Sequence, residues 1–304
     1  MRKAKFNTFL FKHFSSKIKS ALYVPSTSEK MLTKSVLLDA SIIIPDLEDS
    51  VALTEKEMAL QMLISKLPYL RSNFDKLIYP RVNDINTKYF SSEVKKLTKK
   101  ENVQFINGIH IPKIKTQEEC VEINRLLLSI EKELGFKDYQ IKVFPNIESA
   151  SGIVFLKEIL ICLKERVEIV GFGADDFSHD IGVTRTQEDF EIDFARKMFA
   201  LTCLAFRMIP VDSPYVKFND SEGLKKELLY LKKLGFKAKF AIHPNQIGVI
   251  NNYLDDQTED LELSREIVKA YEEALNKGIG AINFKGQMID MPIYKKAKDL
   301  ISKK

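Results

Sequence analysis

Tryptophan is absent from the 304 residues, and only three cysteines and four histidines occur. Cys120, Cys162 and Cys203 lie far apart, each beside aliphatic residues in a helix-like stretch. An odd count without metal-ligand spacing argues against a disulfide framework and for idle or buried thiols in a reducing compartment. The histidines stand in unrelated places with no HxH or HExxH, which excludes the usual zinc sites. His179 reads as a hydrogen-bonded loop residue. No apolar run approaches the roughly 18 to 20 residues that a bilayer requires. A GxGxxG turn and a GxSxG elbow are both missing, which removes the dinucleotide fingerprint and the serine-hydrolase signature. The formal charge of +5 is mild and no aromatic-and-basic surface accompanies it, so nucleic acid is not an expected partner.

What the chain has is the composition of an ordinary globular protein, 45% hydrophobic and 29% charged. Its first 20 residues hold six Lys or Arg and no acid. With a single Arg among the six, they read as a basic leader to a cytoplasmic domain, a mitochondrial-matrix address being the weaker alternative. Short β-branched runs ending near a proline or an acid then recur. They are 21–25, 41–49, 77–83, 108–113, 141–149, 167–177, 208–216 and 240–246, with helical periodicity between them at 55–66, 116–134, 188–207 and 221–234. Eight continuously apolar strands alternating with helices predict a (β/α)8 TIM barrel. An open doubly wound sheet would need the glycine-rich turn that is lacking. Residues 21–255 form the expected barrel domain and 256–304 a C-terminal helical extension.

Barrels carry their chemistry at the C-terminal ends of the strands. That rule selects Asp46, Glu48 and Asp49, then Arg81 and Asn83, Lys113, Glu148, Asp175 with Asp176, and His243. Carboxylates from three strands suggest a hard divalent cation. Glu148 and Asp176 are the expected direct ligands, with Glu48 and Asp49 holding its waters. The alternative is that these acids only pair with Arg81 and Lys113. Lys30 and Lys34 sit four apart on a helix capped by Ser28 or Thr27, which could seat phosphates, but spacing alone favours ordinary solvated lysines.

Taken in order, "LYVPSTSEK", "PDLEDSV", "YPRVN", "IPK", "NIESASG", "GFGADDF…IG", "AIHPNQI" and "GQMIDMP" resemble the HpcH/HpaI aldolase/citrate lyase superfamily, in its branch of citrate lyase β-like and CoA-thioester lyases. The resemblance spans about residues 20–303. It implies a Mg²⁺-dependent barrel, with Mn²⁺ as an alternative, that breaks or makes a carbon–carbon bond in a hydroxyacyl thioester. It makes Glu148 and Asp176 the metal ligands, preferring Asp176 to Asp175. Arg81 matches the residue holding the substrate's carboxylate and acyl oxygens. Tyr23, Lys30 and Lys34 match contacts to CoA, and the backbone at Ile242 and His243 another thioester contact. Asp290 matches a catalytic aspartate supplied by a neighbouring subunit, which implies a homotrimer or a dimer of trimers. The implied partners are an acyl-CoA thioester and a small 2-oxo acid, with acyl-carrier protein as the other carrier. Four positions depart from the family pattern: Ser26 for Gly, Pro45 for an aliphatic residue, Ser149 for Thr and Ala238 for Gly.

Overall fold

The computed structural model describes residues 18–186, 188–255 and 258–302. All but the last three residues of the basic leader lie outside that range. By its internal contacts the chain divides into two compact units, joined at Leu254–Asp255.

The first unit is an eight-stranded sheet in the order β3-β2-β1-β8-β7-β6-β5-β4. Its strands are β1 (Ser20–Pro25), β2 (Ile42–Asp46), β3 (Leu77–Ile78), β4 (Gly108–Ile111), β5 (Lys142–Ile147), β6 (Ile169–Phe172), β7 (Ile209–Asp212) and β8 (Ala238–Ala241). All neighbours pair in parallel. The two ends meet through the bridge Arg81↔His110, with His110 N–H donating to the Pro80 carbonyl (2.9 Å) and Val82 N–H to the His110 carbonyl (3.1 Å). This closes the (β/α)8 barrel that strand count and apolar runs predict.

Around it lie α1 (Glu29–Ser35), α2 (Lys56–Asn73), α3 (Phe90–Leu97), α4 (Gln117–Leu134), α5 (Ala150–Val154), α6 (Leu156–Leu163), α7 (Ala174–Asp180), α8 (Phe190–Ala205), α9 (Ser221–Leu234) and α10 (Pro244–Asp255). Local sequence fixes several ends. Ser28 caps α1 by accepting from Met31 N–H. Thr116 and Glu119 form a capping box on α4, which Gly135 ends at φ 68°. Side-chain alternation splits the core. Ile42, Ile44, Phe144, Ile169, Val211 and Phe240 fill the barrel interior, while their sequence neighbours pack outward against the helices. His179 is an exposed residue in the last turn of α7 rather than a loop residue.

The second unit holds α11 (Thr258–Leu275), the hairpin β9 (Ile282–Phe284) and β10 (Gln287–Ile289), and α12 (Met291–Ser302). Lys285 and Gly286 both have positive φ (50° and 84°), the backbone of a two-residue hairpin turn. Ile267, Tyr271, Ile289, Tyr294 and Ala297 form its small core.

Candidate active site

The C-terminal ends of the strands open into a cavity of about 450 Å³ whose lining includes Tyr23, Asp46, Asp49, Arg81, Asn146, Glu148, Asp176 and Ile242. Arg81 is its fixed cation. The guanidinium meets Asp46 with two parallel bonds of 2.7 Å (Nε–Oδ1 and Nη2–Oδ2). Nη1 reaches Glu48 Oε2 at 2.8 Å and Asp49 Oδ2 at 3.3 Å. Three of the five N–H donors of the arginine are hydrogen-bonded, to Asp46 twice and to Asp49, which leaves one on Nη1, close to Glu48, and one on Nη2. Asp46 also accepts from Glu48 N–H and Ser50 N–H, so it closes its own loop. Burial would raise its carboxyl, but Arg81 outweighs that and holds it at about 2.

Lys113 crosses the rim from β4. Its Nζ lies 2.7 Å from Glu48 Oε1, 3.2 Å from Asp49 Oδ1 and 4.0 Å from Asp176 Oδ1. Its backbone is left-handed (φ 56°), a strained state for a non-glycine residue. Burial, and then the neighbouring Asp49, push the Glu48 carboxyl up to about 7 despite both cations. The DLED cluster is therefore an ion-paired wall built around Arg81 and Lys113. The pairing alternative raised from sequence accounts for Asp46, Glu48 and Asp49.

It does not account for Glu148. Among the bonds of the described residues, this buried carboxylate is held by an amide and a backbone N–H rather than by a side-chain cation. Oε1 accepts from Asn146 Nδ2 (2.6 Å) and Lys113 N–H (3.3 Å). Burial, then the adjoining Asp176 carboxylate, raise its pKa well above the usual range. Gly173 makes this placement feasible, since a Cβ there would lie 2.7 Å from Glu148 Cγ and 2.9 Å from Oε2. Among the described residues no three His, Cys, Asp or Glu form a ready ligand group. Two carboxylates with water and substrate oxygens to complete the shell is nonetheless the habit of Mg²⁺, and a buried Glu148 beside the half-exposed Asp176, which meets a cation only at 4.0 Å from Lys113 Nζ, fits that group.

Tyr23 lies inside the barrel. Its ring is 4.6 Å beneath the Arg81 guanidinium and its hydroxyl is 2.9 Å from His110 Nε2. His110, fully buried, contacts the Phe144 carbonyl through Nδ1 at 2.8 Å. A carbonyl only accepts, so Nδ1 carries the proton and Nε2 receives the Tyr23 hydroxyl. Burial and then Arg81 press the imidazole down to about 3. Tyr23 is therefore a support for Arg81, in a different place from the exposed Lys30 and Lys34 on α1. Neither His110 nor Asn146 stands out from sequence. The available signal is the period of two, because Phe144, Asn146 and Glu148 share one face of β5.

Ile242 is 43% exposed. Its N–H and that of His243 both donate to Gln246 Oε1 (2.9 and 3.3 Å), leaving side chain and carbonyl for a ligand. His243 is half-buried and stacks on Phe218. Ser149 caps α5. Ser26 is fully buried, with a hydroxyl that has no partner. Asp290 belongs to the second unit, where Oδ1 accepts from Ile293 N–H (3.2 Å) at the start of α12.

A second cluster escaped the sequence reading. Behind β7 and β8, Asp212 joins Arg196 (2.9 Å) and Lys239 (2.6 Å), and Glu227 meets the same two cations at 2.8 and 3.2 Å. Arg185 extends this cluster to the rim through Asp189 (2.9 Å) and Asp175 (3.2 Å).

The family described as HpcH/HpaI aldolase/citrate lyase matches residues 19–244. A relative named citrate lyase subunit beta from Haemophilus influenzae is 29% identical over 92% of this chain and 94% of its own. Human mitochondrial citramalyl-CoA lyase is 27% identical over 93% and 84%. The solved structure of CitE from Mycobacterium tuberculosis, in complex with magnesium, acetoacetate and coenzyme A, superposes with a TM-score of 0.76 at 22% identity. That likeness covers 95% of this chain and 98% of that one, and it agrees on the fold.

Proposed function

The chain belongs to the HpcH/HpaI aldolase/citrate lyase family, and on that premise we propose that it is a Mg²⁺-dependent carbon–carbon lyase. Its substrate in this reading is a 3-hydroxyacyl thioester such as citramalyl-CoA or malyl-CoA, exchanged with acetyl-CoA and a 2-oxo acid. One observation carries the reading: a fixed guanidinium and two adjoining carboxylates, Glu148 and Asp176, line the same cavity.

Glu148 and Asp176 would hold the Mg²⁺, or Mn²⁺ in its place. When bound, the ion polarises the substrate's hydroxyl and carboxylate oxygens. Asp46 keeps Arg81 immobile, so its remaining Nη2 N–H offsets negative charge on the acyl oxygen without reorganisation. Glu48 and Asp49, tied to Arg81 and Lys113, orient water at the rim. Lys30 and Lys34, exposed on α1, take the phosphates of the thioester carrier, and Ile242 packs on its arm. Asp290 from a neighbouring subunit exchanges the proton at the enolate carbon, which requires an oligomer, a homotrimer or a dimer of trimers by the family resemblance. In this arrangement residues 256–304 complete the neighbour's site.

A second reading, a citrate lyase β subunit acting on citryl-acyl-carrier protein, is favoured by the relative from Haemophilus influenzae. The two separate in one experiment. Purified protein is incubated with malyl-CoA, citramalyl-CoA, and citryl on CoA or on carrier protein, with Mg²⁺ or EDTA, and 2-oxo acid release is followed. EDTA-sensitive release from a CoA ester supports the first reading, and release from the carrier-bound ester alone supports the second. No release from any of them refutes both.

A further inference from the structure

Asn146 occupies an interior position on β5, between the apolar Phe144 and the cavity carboxylate Glu148, and its carbonyl Oδ1 is buried without a hydrogen-bond partner. An unpaired buried carbonyl costs free energy, so this residue calls for a reason. The fold makes room for it. Asn146 pairs with Gly171 on β6, and a Cβ on Gly171 would lie 2.1 Å from Oδ1. One layer up, Gly173 leaves the space that Glu148 fills. Gly171 on β6 and Gly173 just past its end therefore accommodate Asn146 on β5 and Glu148 just past its end.

The other end of the amide explains the arrangement. Nδ2 donates to Glu148 Oε1 at 2.6 Å, and Lys113 N–H donates to the same oxygen at 3.3 Å. Both donors meet Oε1 and neither meets Oε2. A carboxylate pinned by one oxygen keeps one rotamer and offers the other oxygen.

We propose that Asn146 is a positioning residue that locks Glu148 through Oε1, so that Oε2 is presented as a single-oxygen ligand for the divalent cation. The inference rests on the reading of Glu148 as a metal ligand. The polar residue on the interior of β5 is thus part of the cation site, although it never touches the cation.

The test uses the full-length protein, with Mg²⁺ binding measured by calorimetry and Mn²⁺ binding by electron paramagnetic resonance, in wild type, Asn146→Leu, Asn146→Ala and Glu148→Gln. Thermal midpoints are taken in EDTA. The expected result is a 10–100-fold weaker affinity in both Asn146 variants, in the range typical of residues that orient a ligand. In EDTA the Asn146→Leu midpoint should hold or rise, because the orphan carbonyl is gone. Wild-type affinity in both Asn146 variants, with binding lost in Glu148→Gln, overturns the inference alone. A midpoint that falls in step with affinity makes Asn146 merely structural and overturns it too. Absence of Mg²⁺ binding by the wild type removes the metal reading and this inference together.

Discussion

The buried imidazole of His110 should make the barrel acid-sensitive well above the range in which carboxylates titrate. Its folded pKa is about 3 against an ordinary 6.5, so below pH 6.5 the unfolded chain binds a proton that the folded chain refuses. Stability then falls with falling pH, by about 1.4 kcal/mol per unit once pH is clearly below 6.5. Between pH 7.5 and pH 5 this amounts to about 2 kcal/mol, a factor of roughly 30 in the folding equilibrium. Glu48 acts in the opposite sense, because its folded value of about 7 lies above 4.5 and it takes up a proton in the same window. The wild-type profile alone therefore does not isolate the histidine. The comparison with His110→Gln does, since glutamine still offers a donor to the Phe144 carbonyl and an acceptor to Tyr23 but does not titrate. Urea unfolding at the two pH values should give a wild-type loss about 2 kcal/mol larger than that of the variant. Equal losses would refute the assignment of a neutral, buried His110, as would an imidazole proton resonance that titrates near pH 6.5.

Three further outcomes follow from the geometry. Gly173→Ala puts a methyl 2.7 Å from Glu148 Cγ, against an optimum of roughly 3.5–4.0 Å. Because Oε1 is pinned, the carboxylate must leave its place, and Mg²⁺ affinity by calorimetry should fall at least tenfold. Arg81→Met strands the buried Asp46 and should lower stability by about 3–5 kcal/mol in urea titrations at neutral pH. Part of that loss should disappear in acid. The Asp46 contribution, about 2 kcal/mol, is whole above pH 3.8 and lost as pH falls through its folded value of about 2. Asp290→Asn keeps an α12 capping residue and should retain Mg²⁺ and CoA binding while turnover is lost. A fully active variant would remove Asp290 from the mechanism.

Much of this was readable from the chain. The eight strands announce themselves because parallel strands buried on both faces are continuously apolar. The rim rule then gathers Asp46, Arg81, Glu148 and Asp176, which the fold brings to one cavity. The exceptions have physical causes. Strand β8 starts at Ala238 rather than Phe240, because Lys239 interrupts the apolar run although it is itself buried against Asp212. Regular β3 pairing stops at Ile78, short of residue 83, since Pro80 has no N–H to give the ladder. The cluster of Arg196, Asp212, Glu227 and Lys239 is invisible in sequence because its partners stand 12 to 31 residues apart. Buried charges of this kind look like any solvated charge. Tyr23, which matches a position associated with the carrier, lines the cavity with its ring beneath Arg81, and that contact to Arg81 follows from strand alternation rather than from the motif.

The seam between β3 and β4 has a consequence for motion. Arg81 supplies both the bridge to His110 that closes the cylinder and the cation of the cavity. A ligand that draws on its guanidinium is therefore expected to steady the joint between β3 and β4 as well. Hydrogen exchange at the His110 and Val82 amides should slow when the site is filled, while exchange across β6 and β7 should be little affected. The cylinder would report occupancy at its own joint.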